Sequence, residues 1–194
     1  MRRPQSVFAA SAILLLAGAP IFASALTIRA GLAYGPRGIA DSRIDSTYHP
    51  GAVFYPQLEI GIGRGLVAGI GFETSAAMAG TLGLYKSPAL FRLSGLDIYA
   101  GYELRMKSFA AYIQGGYSLY FYKQTVDYPY VQDLPVDGSA STVQLAAGLR
   151  YYPRKFLFLS AGAKFVPLRV KPYDQSVDLS GWRFLAGLGA AFDF

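Results

Sequence analysis

The chain has 194 residues, a formal net charge of +6 at neutral pH and no cysteine, so neither disulfide bonds nor thiolate ligands stabilise its fold. Hydrophobic residues make up 53% of it and aromatic residues 15%, and it contains 22 glycines. Beyond the first residues no apolar run approaches the roughly 20 residues that a membrane helix needs, so the apolar residues are spread over short segments. The charge excess is modest, and no basic patch with interleaved aromatic residues indicates a nucleic-acid partner.

The N-terminal residues have the pattern of a secretory signal peptide. Arg2 and Arg3 form a positive start, residues 7–18 are apolar, and residues 23–25 (Ala-Ser-Ala) form a small-residue cleavage site. A retained anchor helix is the alternative, but the apolar run is short for a bilayer of about 30 Å. We therefore predict a cleaved signal peptide over residues 1–25 and one mature domain over residues 26–194.

Eight segments follow in which every second residue is apolar. A period of two is typical of a strand that has one apolar face. No position on the predicted outward face is charged, although a charge at the middle of a bilayer would cost about 2–4 kcal/mol. The predicted strands, in chain order, cover residues 26–34, 54–62, 66–74, 96–104, 109–121, 143–151, 157–165 and 182–194.

The connections between these strands alternate between short and long, as they do in outer-membrane barrels, which have short periplasmic turns and long extracellular loops. An even number of strands brings both ends of the domain to the periplasmic side. The short connections are residues 63–65, 105–108 and 152–155, and the long ones are 36–51, 75–93, 123–141 and 167–180.

Aromatic residues gather at both ends of the predicted strands, as in the two girdles at membrane interfaces. The predicted fold class is therefore all-β: an eight-stranded antiparallel up-and-down transmembrane β-barrel preceded by a cleaved signal peptide. The outer girdle contains Tyr34, Phe54, Phe72, Phe121, Phe165 and Trp182, and the inner girdle contains Tyr102, Phe109, Tyr151, Phe192 and Phe194.

With this architecture the mature chain resembles the small eight-stranded outer-membrane barrels, such as the transmembrane domain of outer membrane protein A and the OmpX-type barrels. The resemblance implies that the barrel-assembly machinery reads the last strand during biogenesis. We also expect a monomer that contacts outer-membrane lipid and lipopolysaccharide. The residues that the resemblance assigns to the assembly signal are Leu188, Ala190, Phe192 and Phe194.

Charged residues on the inward face are balanced, five acidic and five basic, so we predict a luminal ion-pair network. Glu73 and Asp97 lie at the same predicted depth as Lys164 and Arg183 across the lumen. An eight-stranded barrel is just wide enough to be filled by its side chains, which favours a plugged interior over a gate for small ions. The predicted network consists of Arg29, Glu59, Glu73, Asp97, Glu103, Arg105, Arg150, Lys164, Arg183 and Asp193.

The sequence leaves three functions open. The first is a structural or surface-interaction role, with an extracellular ligand bound through loops 36–51 and 123–141. The second is a narrow channel or conduit for small or hydrophobic solutes. The third is a lipid A-modifying enzyme, for which His49 with Asp45 and Ser46 would be needed; a solvated loop histidine is favoured instead. The sequence indicates no catalytic residue, cofactor or metal site.

Overall fold

The computed structural model describes residues 26–49, 51–63, 65–82, 86–127, 136–171 and 176–194. The predicted signal peptide lies outside these residues. In chain order the elements are β1 (Leu26–Pro36), α1 (Ser42–Tyr48), β2 (Ala52–Ile62), β3 (Leu66–Ser75), β4 (Met78–Leu82), β5 (Ser87–Met106), β6 (Phe109–Val126), β7 (Val136–Arg154), β8 (Leu157–Val166), β9 (Arg169–Val170), β10 (Val177–Asp178) and β11 (Gly181–Asp193).

Eight strands form a closed antiparallel barrel in the order β1-β2-β3-β5-β6-β7-β8-β11, and β11 pairs back with β1. At the closing seam, Leu26 N donates to Phe194 O at 3.2 Å and Phe194 N donates to Leu26 O at 2.8 Å. Closure pairs the edges that an open sheet would leave free. The predicted fold class is confirmed.

No helix among the described residues is long and apolar enough to cross a bilayer.

The two faces of the barrel follow the predicted alternation. Ile98, Ile113 and Leu145 face outwards, and each is 62% exposed. Glu73 and Asp97 face the lumen and are fully buried. A soluble protein places its apolar residues inside, so this surface is inverted with respect to a water-soluble fold.

The barrel wall is much taller on one side than the sequence predicts. β5, β6 and β7 have 20, 18 and 19 residues, whereas β3 and β8 have 10 each. Much of the predicted long connections 75–93 and 123–141 is therefore strand, and β4 pairs with the start of β5. The prediction of loop was wrong because the apolar face switches sides: at the start of β5 the apolar residues Phe91 and Leu93 point inwards.

The outer mouth of the barrel is filled by an apolar cluster, which we call the outer core. Described residues from the predicted loops 36–51 and 167–180 fold into it, and the first of these segments contains α1. Gly80 of β4 lies so close to α1 that a Cβ there would be 2.2 Å from Thr47 O. The outer core consists of Ile39, Tyr48, Met78, Ala89, Phe91, Leu93, Tyr120, Val126, Val166, Leu168, Val170 and Leu179.

Candidate functional site inside the barrel

Two groups of charged side chains cross the lumen at different depths. The group nearer the short turns, the inner cluster, consists of Arg29, Glu59, Glu103 and Arg150. Arg150 Nη2 lies 2.7 Å from Glu59 Oε1, and its Nη1 contacts Glu103. Arg29 Nη2 lies 2.8 Å from Glu103 Oε1, and its Nη1 lies 3.9 Å from Glu59 Oε2. Each carboxylate therefore contacts both guanidinium groups.

Two neutral side chains donate further hydrogen bonds to one oxygen of Glu59. Gln114 Nε2 donates to Glu59 Oε1 at 2.8 Å, and Tyr99 Oη donates to the same oxygen at 3.1 Å. Glu59 and Arg150 are each 1% exposed. A buried charge is tolerated when it is paired and hydrogen-bonded, and the cluster pairs every charge through residues from four different strands. Its hydrogen bonding is incomplete, since among the described residues Glu59 Oε2 accepts no hydrogen bond and the Nε atoms of Arg29 and Arg150 donate none.

The second group, the outer cluster, is built around Glu73. Lys164 Nζ lies 2.6 Å from Glu73 Oε2 and 2.9 Å from Asp97 Oδ2. Arg183 Nε lies 3.3 Å from Glu73 Oε1, and Arg37 Nη1 lies 3.5 Å from the same oxygen. The structure thus brings together the four residues that the sequence places at one depth, and adds a fifth.

Arg37 is the residue that sequence reasoning missed. It lies in the predicted loop 36–51, yet it forms a β-bridge with Arg183 beyond the end of β1, and its side chain is fully buried. Its side chain points inwards like those of Arg29 and Ala33 on β1. The signal that would have found it is therefore the same alternation, extended three residues beyond the predicted strand end at residue 34. Its Nη2 also donates to Ser75 Oγ at 3.2 Å.

Two residues of the predicted network lie outside both clusters. The guanidinium of Arg105 stacks on the ring of Tyr152, with Cζ 4.4 Å from the ring centroid. Asp193 accepts a hydrogen bond from Thr27 Oγ1 at 2.7 Å. Both residues lie at the inner rim of the barrel.

The large luminal side chains fit because glycines face them. Gly148 of β7 and Gly162 of β8 are directly paired, and a Cβ at either position would lie within 2.5 Å of Tyr112 Oη. The cavity left between the two clusters, beside Gln114 and Gln144, has a volume of about 30 Å³. Ligand pockets typically start at about 300 Å³, so this space holds little more than water.

The loop histidine is not part of an arrangement suited to nucleophilic catalysis. Ser46 Oγ donates to Arg43 O at 3.2 Å, and His49 follows α1 with its backbone N–H bonded to Asp45 O at 3.0 Å. An activated serine requires its hydroxyl to donate to a base. Here the hydroxyl is engaged by the helix backbone.

Comparison with known proteins identifies the fold. No family model matches the chain, and no curated protein sequence matches it. Solved structures do match. The N-terminal β-barrel domain of Pseudomonas aeruginosa OprF is 11% identical and superposes with a TM-score of 0.53, over 87% of this chain and 98% of the OprF domain. This chain has the fold of the small eight-stranded outer-membrane barrels.

Two further structures agree. Neisserial surface protein A is 16% identical, with a TM-score of 0.53 over 87% of this chain and 99% of its own. Ail of Yersinia pestis, solved with the heparin analogue sucrose octasulfate, is 15% identical, with a TM-score of 0.53 over 87% and 98%. The resemblance expected from the sequence is confirmed at the level of the fold. With its uncharged outward belt, the barrel is an integral outer-membrane protein.

Proposed function

We propose that this barrel is plugged, and that it serves the outer membrane as a stable envelope protein that presents an interaction surface outside the bilayer. The observation that carries the proposal is the filling of the lumen at three levels. The inner cluster, the outer cluster and the outer core follow one another along the barrel axis.

The two charged clusters support the plug energetically. An ion crossing the inner cluster would have to separate Arg150 from both Glu59 and Glu103. Leaving one member of a buried ion pair without its partner costs about 3–5 kcal/mol. Because the same kind of contact recurs between Lys164 and Glu73, the ion would meet this cost twice.

The outer core adds a barrier of a different kind. Tyr48, Phe91, Leu168 and Leu179 are buried beyond the outer cluster, on the side away from the short turns. A charged solute in this layer would lose its hydration without gaining a polar partner. The plug therefore does not depend on the ion pairs alone.

The tall side of the wall supports the interaction role. A transmembrane strand needs about 9–11 residues, and β5 to β7 have nearly twice that number. Beyond the lipid-facing belt, exposed Arg92, Lys123 and Asp137 point outwards. A charged outer face suits water, so we propose that the strand extensions within 87–93 and 123–141 carry the ligand contacts, and that segment 36–51 mainly closes the mouth.

Planar-bilayer recording of the refolded protein tests the plug. We expect no stable single-channel conductance at neutral pH. A reproducible conductance from protein that shifts on heating in a gel, as a folded barrel does, would contradict the plug and favour the second candidate, a narrow channel through the cavity beside Gln114 and Gln144. Replacing residues 123–137 with a short turn, which joins the paired residues Tyr122 and Gly138, tests the interaction role: surface binding by cells should fall while the barrel stays folded.

We also propose that the last strand is the assembly signal. Leu188, Phe192 and Phe194 face outwards with 57%, 53% and 75% exposure, and Ala190 lies in the same row. The barrel-assembly machinery would read this row before the strand pairs with β1. Phe194→Ala should lower the amount of assembled barrel in the outer membrane several-fold, whereas Phe184→Ala, on the same face of the same strand, should not. Equal levels for the two variants would contradict the proposal.

A further inference from the structure

A groove opens on the short side of the barrel, at the outer end of β1, β2 and β3. Its volume is about 640 Å³, within the range of about 300–1,000 Å³ that ligand pockets occupy. The outer parts of its lining come from the end of α1 and from the segment between β3 and β4. It therefore lies where the wall is low and the outer core begins.

The floor of the groove is part of the lipid-facing belt. Tyr34 pairs with Phe54 across β1 and β2, and Phe54 pairs with Thr74 across β2 and β3. The three side chains form one outward row at the level of the outer aromatic girdle, with Tyr34 62% exposed and Phe54 42% exposed. The floor is thus continuous with the surface that contacts lipid chains.

Many lining residues are small, and the described ones include His49 but no acidic side chain, lysine or arginine. Gly51, Ala52, Ala76, Ala77 and Ala79 keep the groove open. The alanines together with Tyr34, Phe54 and Met78 give the groove an apolar surface that adjoins the lipid-facing belt. Such a surface suits a hydrocarbon chain, because burial of apolar surface is the main gain available.

The wall of the groove is fixed in place by packing. The rings of Tyr48 and Phe91 pack in a tilted arrangement with centroids 5.6 Å apart, and Met78 is 4% exposed within the outer core. The close contact of Gly80 with Thr47 joins β4 to α1. A groove with such walls exists before a ligand enters, so binding requires little rearrangement.

We propose that this groove binds one acyl chain of a membrane lipid from the leaflet at the outer ends of the strands. The chain enters along Tyr34 and Phe54 and lies against Ala76, Ala77 and Ala79. This goes beyond the proposed function, because it assigns a defined lipid site to a barrel whose other outward surface is a continuous belt.

Photocrosslinking tests the proposal. The full-length protein is reconstituted into phosphatidylethanolamine and phosphatidylglycerol vesicles that contain a small fraction of phosphatidylethanolamine with a diazirine on its acyl chain, and adducts are mapped by mass spectrometry. We expect adducts to be enriched several-fold in the peptide that carries residues 76–79, compared with belt peptides of similar exposure. Even labelling around the belt would overturn the proposal.

Filling the groove gives the matched comparison. Ala77→Trp should reduce the adducts in that peptide several-fold, whereas Ala100→Trp, on the lipid-facing side of β5 and outside the groove, should leave them unchanged. If Ala77→Trp does not fold, Ala79→Leu makes the same test. Labelling that survives both groove variants in folded protein would overturn the proposal, as would loss of labelling only when a second protein is added, which would indicate a protein occupant.

Discussion

The membrane-spanning part of the barrel and its outer mouth are built with opposite polarity. In the membrane-spanning part, Leu96 and Ile98 face outwards while Asp97 is buried in the lumen. Toward the mouth, on the same strand, Leu93 is buried inside and Arg92 is exposed outside. The surroundings explain the difference, because lipid excludes charged residues from the outer surface, whereas water tolerates them. A strand of one continuous geometry thus carries two hydrophobic patterns.

The largest expected effect is a loss of stability when the inner cluster is broken. Arg150→Ala removes the shared partner of Glu59 and Glu103, and we expect a loss of about 3–5 kcal/mol in the free energy of unfolding, because two buried carboxylates lose a cation. Urea unfolding of the protein in vesicles measures it. Arg92→Ala, which removes an exposed arginine from the outer extension, is the control and should change the free energy of unfolding very little. Equal effects would show that the lumen is hydrated.

Leucines on the two faces of β5 sharpen the contrast. Leu93→Ala leaves a cavity in the outer core and should cost about 2–5 kcal/mol. Leu96→Ala, three residues along the same strand, faces lipid, which fills the space, so its cost should be much smaller. The same unfolding experiment compares them. A larger loss for Leu96→Ala would contradict the assignment of the two environments.

An arginine introduced on the outward face of β5 tests where the surroundings change from lipid to water. Ile98→Arg places a cation in the lipid-facing belt and should cost about 2–4 kcal/mol if it lies near the bilayer midplane. Leu90→Arg, also outward but on the extension, should change stability by less than about 0.5 kcal/mol. The yield of folded barrel in vesicles, read from heat modifiability, ranks the two variants. Equal tolerance would place both positions in the same medium.

The smallest expected effect concerns α1. Asp41 caps this helix: its carboxylate accepts from Arg43 Nε at 3.1 Å and from Arg43 N at 3.0 Å. The hydrogen bond from the Arg43 side chain holds the pKa of Asp41 below its usual value. Since a lowered pKa stabilises the folded state only while the carboxylate is ionised, this contribution is present above the unfolded pKa and is lost as the pH falls through the folded one.

Hydrogen exchange of α1 measures this effect. Asp41→Asn should speed exchange of the helix amides slightly at neutral pH, and the difference from the parent protein should disappear in acid. The backbone amides of the strands that carry the inner cluster should stay protected from exchange at every pH, because the cluster does not contact α1. If the difference in exchange rate between the two proteins grew in acid, the expected direction of the pH dependence would be wrong.

The sequence predicts the membrane-spanning part well, because alternation is a local signal. It identifies the eight strands, their faces and the shared depth of Glu73, Asp97, Lys164 and Arg183. Even contacts between distant residues follow, since register and depth place Arg183 near Glu73, 110 positions away. The pairing of β1 with the last strand follows from the need to leave no edge.

The outer mouth could not be predicted in the same way. Its apolar residues are divided among α1, β4, the β5 extension and the segment after β8, and only the folded barrel brings them together. On β5 the outward apolar alternation is interrupted beyond Leu96, where Ser94 and Arg92 take the outward positions. Arg37 likewise lies beyond the predicted first strand, residues 26–34, although it belongs to the outer cluster.

Site-directed spin labelling along β5 tests the change of polarity most directly. A nitroxide is placed at each position from 88 to 104, and its collisions with oxygen, which concentrates in lipid, and with a water-soluble nickel complex are measured. Outward positions from 96 to 104 should favour oxygen, outward positions 88, 90 and 92 should favour nickel, and positions 89, 91 and 93 should be shielded from both. Oxygen preference that continues unbroken to position 88, or nickel access at 91 and 93, would contradict the account.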